Sequence, residues 1–454
     1  MQGTLTKGNP LKKILLFTLP LLLGNLFQQA YNMADAAIVG QTLGPNALGA
    51  VGATGSVQFL VLGFCIGITS GFAIPVANTF GAQRIDMLKR NVFTGSFLIL
   101  TFAIFLTLIS SLSVDLILAF LQVSDEIYVD TYNYIFVIFL GIPFTLLYNY
   151  SSALLRSIGD STTPFLLLAF SSILNIVLDF FCILTLGLGV KGAAIATITA
   201  QAISGILCLI VIYKKFPLLH FSKEHMVLKK NNILTMLNIG VPMGLQFSIT
   251  AIGSMVMQSA NNALGGFYVP AYAAGCKINS FMMSPFDALA NATCTFCSQN
   301  YGALEEERVT DGIKIGVALG ILWGIIGGFI LVFGGEFLSS LFMSGEGSYE
   351  AIKASGEYLA CLGYFYVLLG ILEVTRLVTQ GLGMSKRAIL AGAFEMVARI
   401  TMVYFFVPTY AYKAICYTDQ AAWLAADLYI VPMCYIAYKH VVKDIRQTLL
   451  INNQ

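Results

Sequence analysis

The sequence predicts an all-α integral membrane protein with twelve transmembrane helices in two pseudo-symmetric six-helix bundles. Three observations carry that prediction. Hydrophobic residues make up 57% of the 454 positions and charged residues 11%, with a mean hydropathy of +0.80, whereas a soluble domain carries roughly 25% charge. Apolar runs of about 20 residues recur along the whole length, each long enough to cross a hydrocarbon core as a helix. The second half also loosely repeats the first. Pro20–Arg90 returns as Pro242–Thr310, and Phe80-Gly81-Ala82 returns as Tyr301-Gly302-Ala303. Leu155-Arg156-Ser157-Ile158-Gly159-Asp160 returns as Thr379-Gln380-Gly381-Leu382-Gly383-Met384. Leu, Ile, Phe, Gly and Ala dominate the runs, which suits helices packing on small residues rather than alternating barrel strands.

Taken in order, the first span covers 14–39. It follows Lys12-Lys13 and contains Pro20 and Asp35. It is too long for the apolar core of a signal peptide, and eleven spans follow it. Spans at 53–79, 92–120 and 131–154 come next, the second ending at Phe80-Gly81-Ala82 and the fourth at Leu155 to Asp160. The fifth, 164–186, carries Asn175 and Asp179, and the sixth, 192–213, carries Thr197. The second set runs 236–262, 271–298, 313–343, 355–381, 387–408 and 420–438. Several exceed one bilayer thickness, so tilt or extension outside the membrane is expected. The basic, polar stretch 214–232 is expected to link a first lobe (1–213) to a second (233–454), and it suits anionic headgroups.

Lysine and arginine set the orientation. With a cytoplasmic N-terminus, nineteen of the 25 fall in inner segments and only Lys191, Lys353 and Lys413 in outer ones. That asymmetry places both termini in the cytoplasm of a multi-pass protein of the inner or plasma membrane. Each half then has six spans starting from the same side, so the repeats are parallel. Two related bundles leave one site near the midplane, which is the plan of a transporter. The net charge of +2 gives no reason to expect nucleic acid. The nine cysteines show no extracellular pairing pattern, and Cys294-Thr295-Phe296-Cys297 reads as small packing residues in an apolar helix. His220, His225 and His440 all fall in loops, so no histidine-based catalysis or metal binding is expected at membrane depth.

The chemistry is therefore sought among ionisable residues within spans, each costly there. They are Asp35, Asp179, Lys277, Asp287, Glu373, Arg376, Glu395, Arg399 and Asp427. Asn175 and Asp179 are one helical turn apart and face the same way. With Asp35 and the Thr197 hydroxyl they make an oxygen-only set suited to a hard cation, or to a proton shared between close carboxylates. Glu373 and Arg376 are spaced i,i+3 and Glu395 and Arg399 i,i+4, at positions within a few residues of those of Asn175 and Asp179. An arginine beside each acid favours a neutral structural pair over a coupling carboxylate. Lys277 and Asp287 either pair or line a cavity. Tyr31, Met33, Phe247, Met255, Phe281 and Met282 are candidates for an adaptable substrate cleft, since methionine-rich surfaces suit promiscuous binding. Pro20 marks a weak point in the first helix.

In these features the chain resembles the multidrug and toxic compound extrusion (MATE) family, on the branch similar to the DNA-damage-inducible F and MepA-type exporters. The resemblance spans essentially the full length. It rests on Pro20 with Asp35, the two Gly-Ala exits, Arg156 to Asp160, and Asn175 with Asp179. It implies two six-helix lobes in a V and alternating-access antiport driven by Na⁺ or H⁺. Small amphipathic or cationic substrates, no cofactor and a monomer in membrane lipid go with it. It also implies a first-lobe cation site at Asp35, Asn175, Asp179 and Thr197, with the Ala193 carbonyl as a further ligand. Some members place acids in the second lobe, where Glu373 is the nearest match.

Three other readings remain. A flippase of lipid-linked oligosaccharides from the same superfamily would need a basic cavity, for which only Lys277, Arg376 and Arg399 are on offer. An integral membrane enzyme would need a nucleophile and base at suitable spacing, and none is seen. A passive channel would need a ring of like groups, and the two halves carry different ones.

Overall fold

The computed structural model describes residues 5–121, 123–343 and 348–452. Its helices are α1 (Pro10–Leu43), α2 (Pro45–Gly81), α3 (Ile85–Leu112), α4 (Val114–Phe120), α5 (Asp125–Leu140), α6 (Ile142–Ser157), α7 (Thr162–Phe180) and α8 (Gly189–Lys215). The second set is α9 (Lys230–Leu264), α10 (Tyr268–Gly302), α11 (Glu306–Ser340), α12 (Ser348–Tyr364), α13 (Tyr366–Gly381), α14 (Ser385–Thr401), α15 (Val407–Tyr410) and α16 (Tyr412–Asn452). Among the described residues nine helices are long and apolar enough to cross a membrane. Two further spans are broken, α5 with α6 bent by 45° and α12 with α13 bent by 57°. The remaining long helix, α10, has 35 residues, which reach about 52 Å at 1.5 Å per residue. Its polar side chains Thr293, Ser298, Gln299 and Asn300 are buried, so their cost is met inside the protein rather than in lipid. These are the twelve segments expected from the sequence, mostly longer than the apolar runs that mark them.

The chain folds into two compact units. Among the described residues, one comprises Leu23–Gly244, the other Leu5–Leu22 and those from Leu245 onward. Each unit therefore owns the start of a helix that ends in the other. α1 changes unit two residues after Pro20, and α9 two residues after Pro242.

The repeated sequence motifs are repeated turns. Arg84 N–H donates to Thr79 O at 3.1 Å and Glu305 N–H to Asn300 O at 3.0 Å, and Gln83 and Leu304 take φ of 56° and 61° in closing them. Asp160 N–H donates to Leu155 O and Met384 N–H to Thr379 O, both at 3.0 Å, around Gly159 and Gly383 at φ 90° and 86°. Glycine is needed at that step because a Cβ is strained there.

The stretch expected as a polar linker is packed. α8 runs on to Lys215, and two short 3₁₀ turns follow at Pro217–Leu219 and Lys223–His225. Leu219 is buried in the core of the first unit with Leu88 and Val92, and Phe221 meets Phe93 edge-on at 5.4 Å. At the start of α1, Arg308 donates to Leu5 O and Gly8 O, each at 2.7 Å, holding that end against the second unit.

Candidate functional site

The first unit gathers polar side chains by helical spacing. Gln28, Tyr31 and Asp35 stand at i, i+3 and i+7 on α1, Thr145 and Asn149 one turn apart on α6, Asn175 and Asp179 on α7, and Thr197 and Gln201 on α8. Each set presents one face. They meet around two cavities. The larger, about 290 Å³, is lined by Asp35, Tyr31, Gln58, Tyr134, Thr197 and Gln201 among others. The smaller, about 40 Å³, is lined by Tyr31, Tyr148, Asn149, Asn175, Thr197 and Gln201 among others.

All four residues expected to bind a cation or proton come together here. Asn175 Nδ2 donates to Thr197 Oγ1 at 3.3 Å. The Asp35 and Asp179 carboxyls are close enough to act electrostatically on each other. Asn175 and Asp179 are buried, at 2% and 0% exposure. Among the described residues, Asn175 Oδ1, Asp35 Oδ1 and both carboxyl oxygens of Asp179 have no hydrogen-bond partner. Every one of those atoms is an acceptor. Two neighbouring carboxyls with no donor among the described residues call for a shared proton or a hard cation, so the oxygen set fits either ion.

Sequence reasoning missed the neutral members of this shell, namely Gln28, Gln58, Tyr134, Asn149 and Gln201. A signal was present for two of them. Gln201 lies one turn beyond Thr197, and Gln28 two turns before Asp35.

In the second unit the candidate acids and arginines form one buried chain. Arg376 pairs with Glu373 on its own helix, and its Nη1 reaches Glu395 Oε1 on α14 at 2.7 Å. Arg399 pairs with Glu395 at 3.5 Å and with Asp419 at 3.1 Å. Tyr358 donates its hydroxyl proton to Asp419 Oδ2 at 3.0 Å. Asp419 was missed because its helix begins at Tyr412, ahead of the expected span start at 420. Counting from the matched glycines Gly159 and Gly383 sets the register of the repeat: Arg399 corresponds to Asn175, and Glu395 to Ser171. Asp287 lies close enough to Glu373 and Arg376 to interact with both, while Lys277 is exposed and joins no ion pair among the described residues.

The expected cleft residues are dispersed. Tyr31 lines the cavities. Met33 is 36% exposed, and Phe247, Met255 and Phe281 are half-buried. Met282 packs at the edge of the second unit's core, where Trp323 donates to its carbonyl at 3.2 Å.

The architecture is that of a multi-pass membrane transporter. The MatE family model matches residues 20–181 and 242–405, so the chain belongs to the MatE family, whose members are transporters and not enzymes. Its two matched blocks are the two halves of the repeat seen in the sequence. The chain is 29% identical over 429 residues to the "Probable multidrug resistance protein YpnP" of Bacillus subtilis (strain 168), covering 92% of this chain and 90% of that one. It is 24% identical to the multidrug export protein MepA of Staphylococcus aureus (strain N315), covering 85% and 86%. A crystal structure of MATE in complex with MaL6 superposes with a TM-score of 0.90 at 22% identity, over 98% of this chain and 100% of that one.

Proposed function

We propose that the chain is a cation-coupled antiporter that exports chemically diverse, often cationic, small molecules by alternating access. The observation that carries this reading is the Asp35–Asp179 pair, close enough to act on each other and short of donors among the described residues, beside Asn175 and Thr197. An ion drives transport only through differential affinity for two states. An entering Na⁺ or H⁺ neutralises the pair, α1 repacks about Pro20, and the exported molecule loses its hold and leaves. The multidrug names of the two curated relatives support the substrate class. In this reading both termini are cytoplasmic, the lobes are 1–213 and 233–454, and the chain works as a monomer.

The test is efflux of a fluorescent cationic dye from proteoliposomes, with Na⁺ and pH gradients imposed independently, for wild type and Asp35→Asn. Gradient-driven efflux lost in the variant is the expected result, and it identifies the ion. Efflux that ignores both gradients would sink the coupling. The flippase reading is disfavoured because Arg376 and Arg399 are already engaged by carboxylates and so are poor partners for a pyrophosphate.

A further inference from the structure

The two units carry the same scaffold but fill its polar centre differently. Counting from Pro20 and Pro242 pairs Tyr31 with Gly253 and Asp35 with Met257. Counting from the broken-span joints Gly141 and Phe365 pairs Asn149 with Glu373, and counting from Gly159 and Gly383 pairs Asn175 with Arg399. The first unit thus has acceptors around a cavity. In the second unit Met257, 1% exposed, stands at the place of Asp35. A Cβ at Gly253 would lie 3.3 Å from both Cδ and Nη1 of Arg399. The guanidinium chain therefore takes up room that the Tyr31 side chain occupies in the other repeat. Arg399 is 5% exposed and is bound by Glu395 and Asp419.

We propose that Arg399 is the resident cation of the second unit. Its tethered guanidinium satisfies the Glu395 and Asp419 carboxylates, so no exchangeable metal ion binds between them and Na⁺ exchanges in the first unit; the buried Asp427 carboxyl, without a partner among the described residues, lies outside these pairs. The pocket around it is accordingly a guanidinium-class site occupied by the protein's own side chain. Three carboxylates (Glu373, Glu395 and Asp419) face two guanidiniums in this chain of ion pairs. Removing Arg399 leaves buried negative charge that must be offset by another cation or by protonation of a carboxylate. The single-site consequence rests on the coupling role proposed for Asp35 and Asp179, whereas occupation of the pocket by Arg399 does not.

The experiment is chemical rescue in the full chain. Arg399→Ala is expected to lower Tm, with at least half the loss recovered by millimolar guanidinium chloride and none by equal urea or NaCl. Urea has the same planar shape without charge, and NaCl matches the ionic strength without the shape. Recovery by urea, or no recovery by guanidinium, overturns the proposal. Should the single variant not fold, Arg399→Ala with Asp419→Asn removes the carboxylate left without an arginine, since Glu395 keeps Arg376, and is expected to fold without responding to guanidinium. An undiminished response there counts against the proposal. In the second arm, Na⁺ binding is measured on wild type and on Asp35→Asn/Asp179→Asn. Saturable Na⁺ binding should vanish in the double variant, and binding that survives would place a second exchanging site elsewhere. Rescue is read on Tm, so it stands or falls independently of whether wild type couples an ion.

Discussion

The amide of Asn175 donates to the hydroxyl of Thr197 at 3.3 Å, and the carbonyl oxygen of the same amide is buried with no partner among the described residues. One end of the side chain is thereby fixed so that the other can act as a ligand. Thr197→Val keeps the volume and removes the fixing acceptor. Losing one such hydrogen bond costs about 1 kcal/mol, roughly five-fold in affinity. The ion concentration for half-maximal efflux should rise by about that factor, with maximal efflux retained. Titrating the driving ion against efflux rate checks this.

Asp35→Asn keeps the shape and removes one of two neighbouring carboxylates. Gradient-driven efflux should fall to the background of empty liposomes. Substrate binding to the purified protein, followed by fluorescence polarisation, should change little. Equal loss of binding and transport would make Asp35 a substrate residue instead.

Proton and Na⁺ compete for the same oxygens when two carboxyls face each other. Protonation removes the negative charge that attracts the metal ion, so acidification should raise the Na⁺ concentration needed for half-maximal binding, and alkalinisation should lower it. Asp179→Asn should flatten that dependence. Isothermal titration with Na⁺ at a series of pH values reads the slope, and a Na⁺ affinity indifferent to pH would separate the two ions' sites.

Pro20 lies inside α1, where proline removes a backbone hydrogen bond and costs about 3 kcal/mol against alanine. Pro20→Ala should therefore raise Tm while slowing turnover, because a stiffer helix resists the bend that transport requires. Faster or unchanged turnover, measured in the same liposomes, would show that α1 works without bending there.

Arg376 bridges Glu373 and Glu395 in the interior of the second unit. Arg376→Met leaves both acids buried without it, a loss of about 3–5 kcal/mol, and should lower Tm sharply. Adding Glu373→Leu and Glu395→Leu should return most of it, since apolar replacement of a whole buried ion pair is often neutral. Thermal unfolding of the single and triple variants decides the matter.

Much of the fold is legible in the residue order because hydropathy is a local property. Twenty apolar residues must cross a bilayer whatever surrounds them, and the motif around Gly159 recurs at Gly383 because both close the same turn. Asp35, Asn175, Asp179 and Thr197 stood out for a related reason, since ionisable groups and their one-turn neighbours are rare in apolar spans. Gln58 and Tyr134 did not stand out. Neutral polar residues are tolerated on many helix faces, and only packing shows which face a cavity. The linker around Leu219 misled in the opposite direction, its lysines masking an apolar residue that belongs to the core.

By itself, then, the sequence determined the membrane class, the number of helical segments, the internal repeat and the residues able to carry charge at depth. The tertiary structure alone decided which of them meet. Asp35 and Asp179 come close enough to act on each other, whereas Glu395 is held by Arg376 from another helix and by Arg399 from its own. That outcome depends on the rotation and depth of each helix, set by close packing over many side chains at once, and no spacing along one helix encodes it.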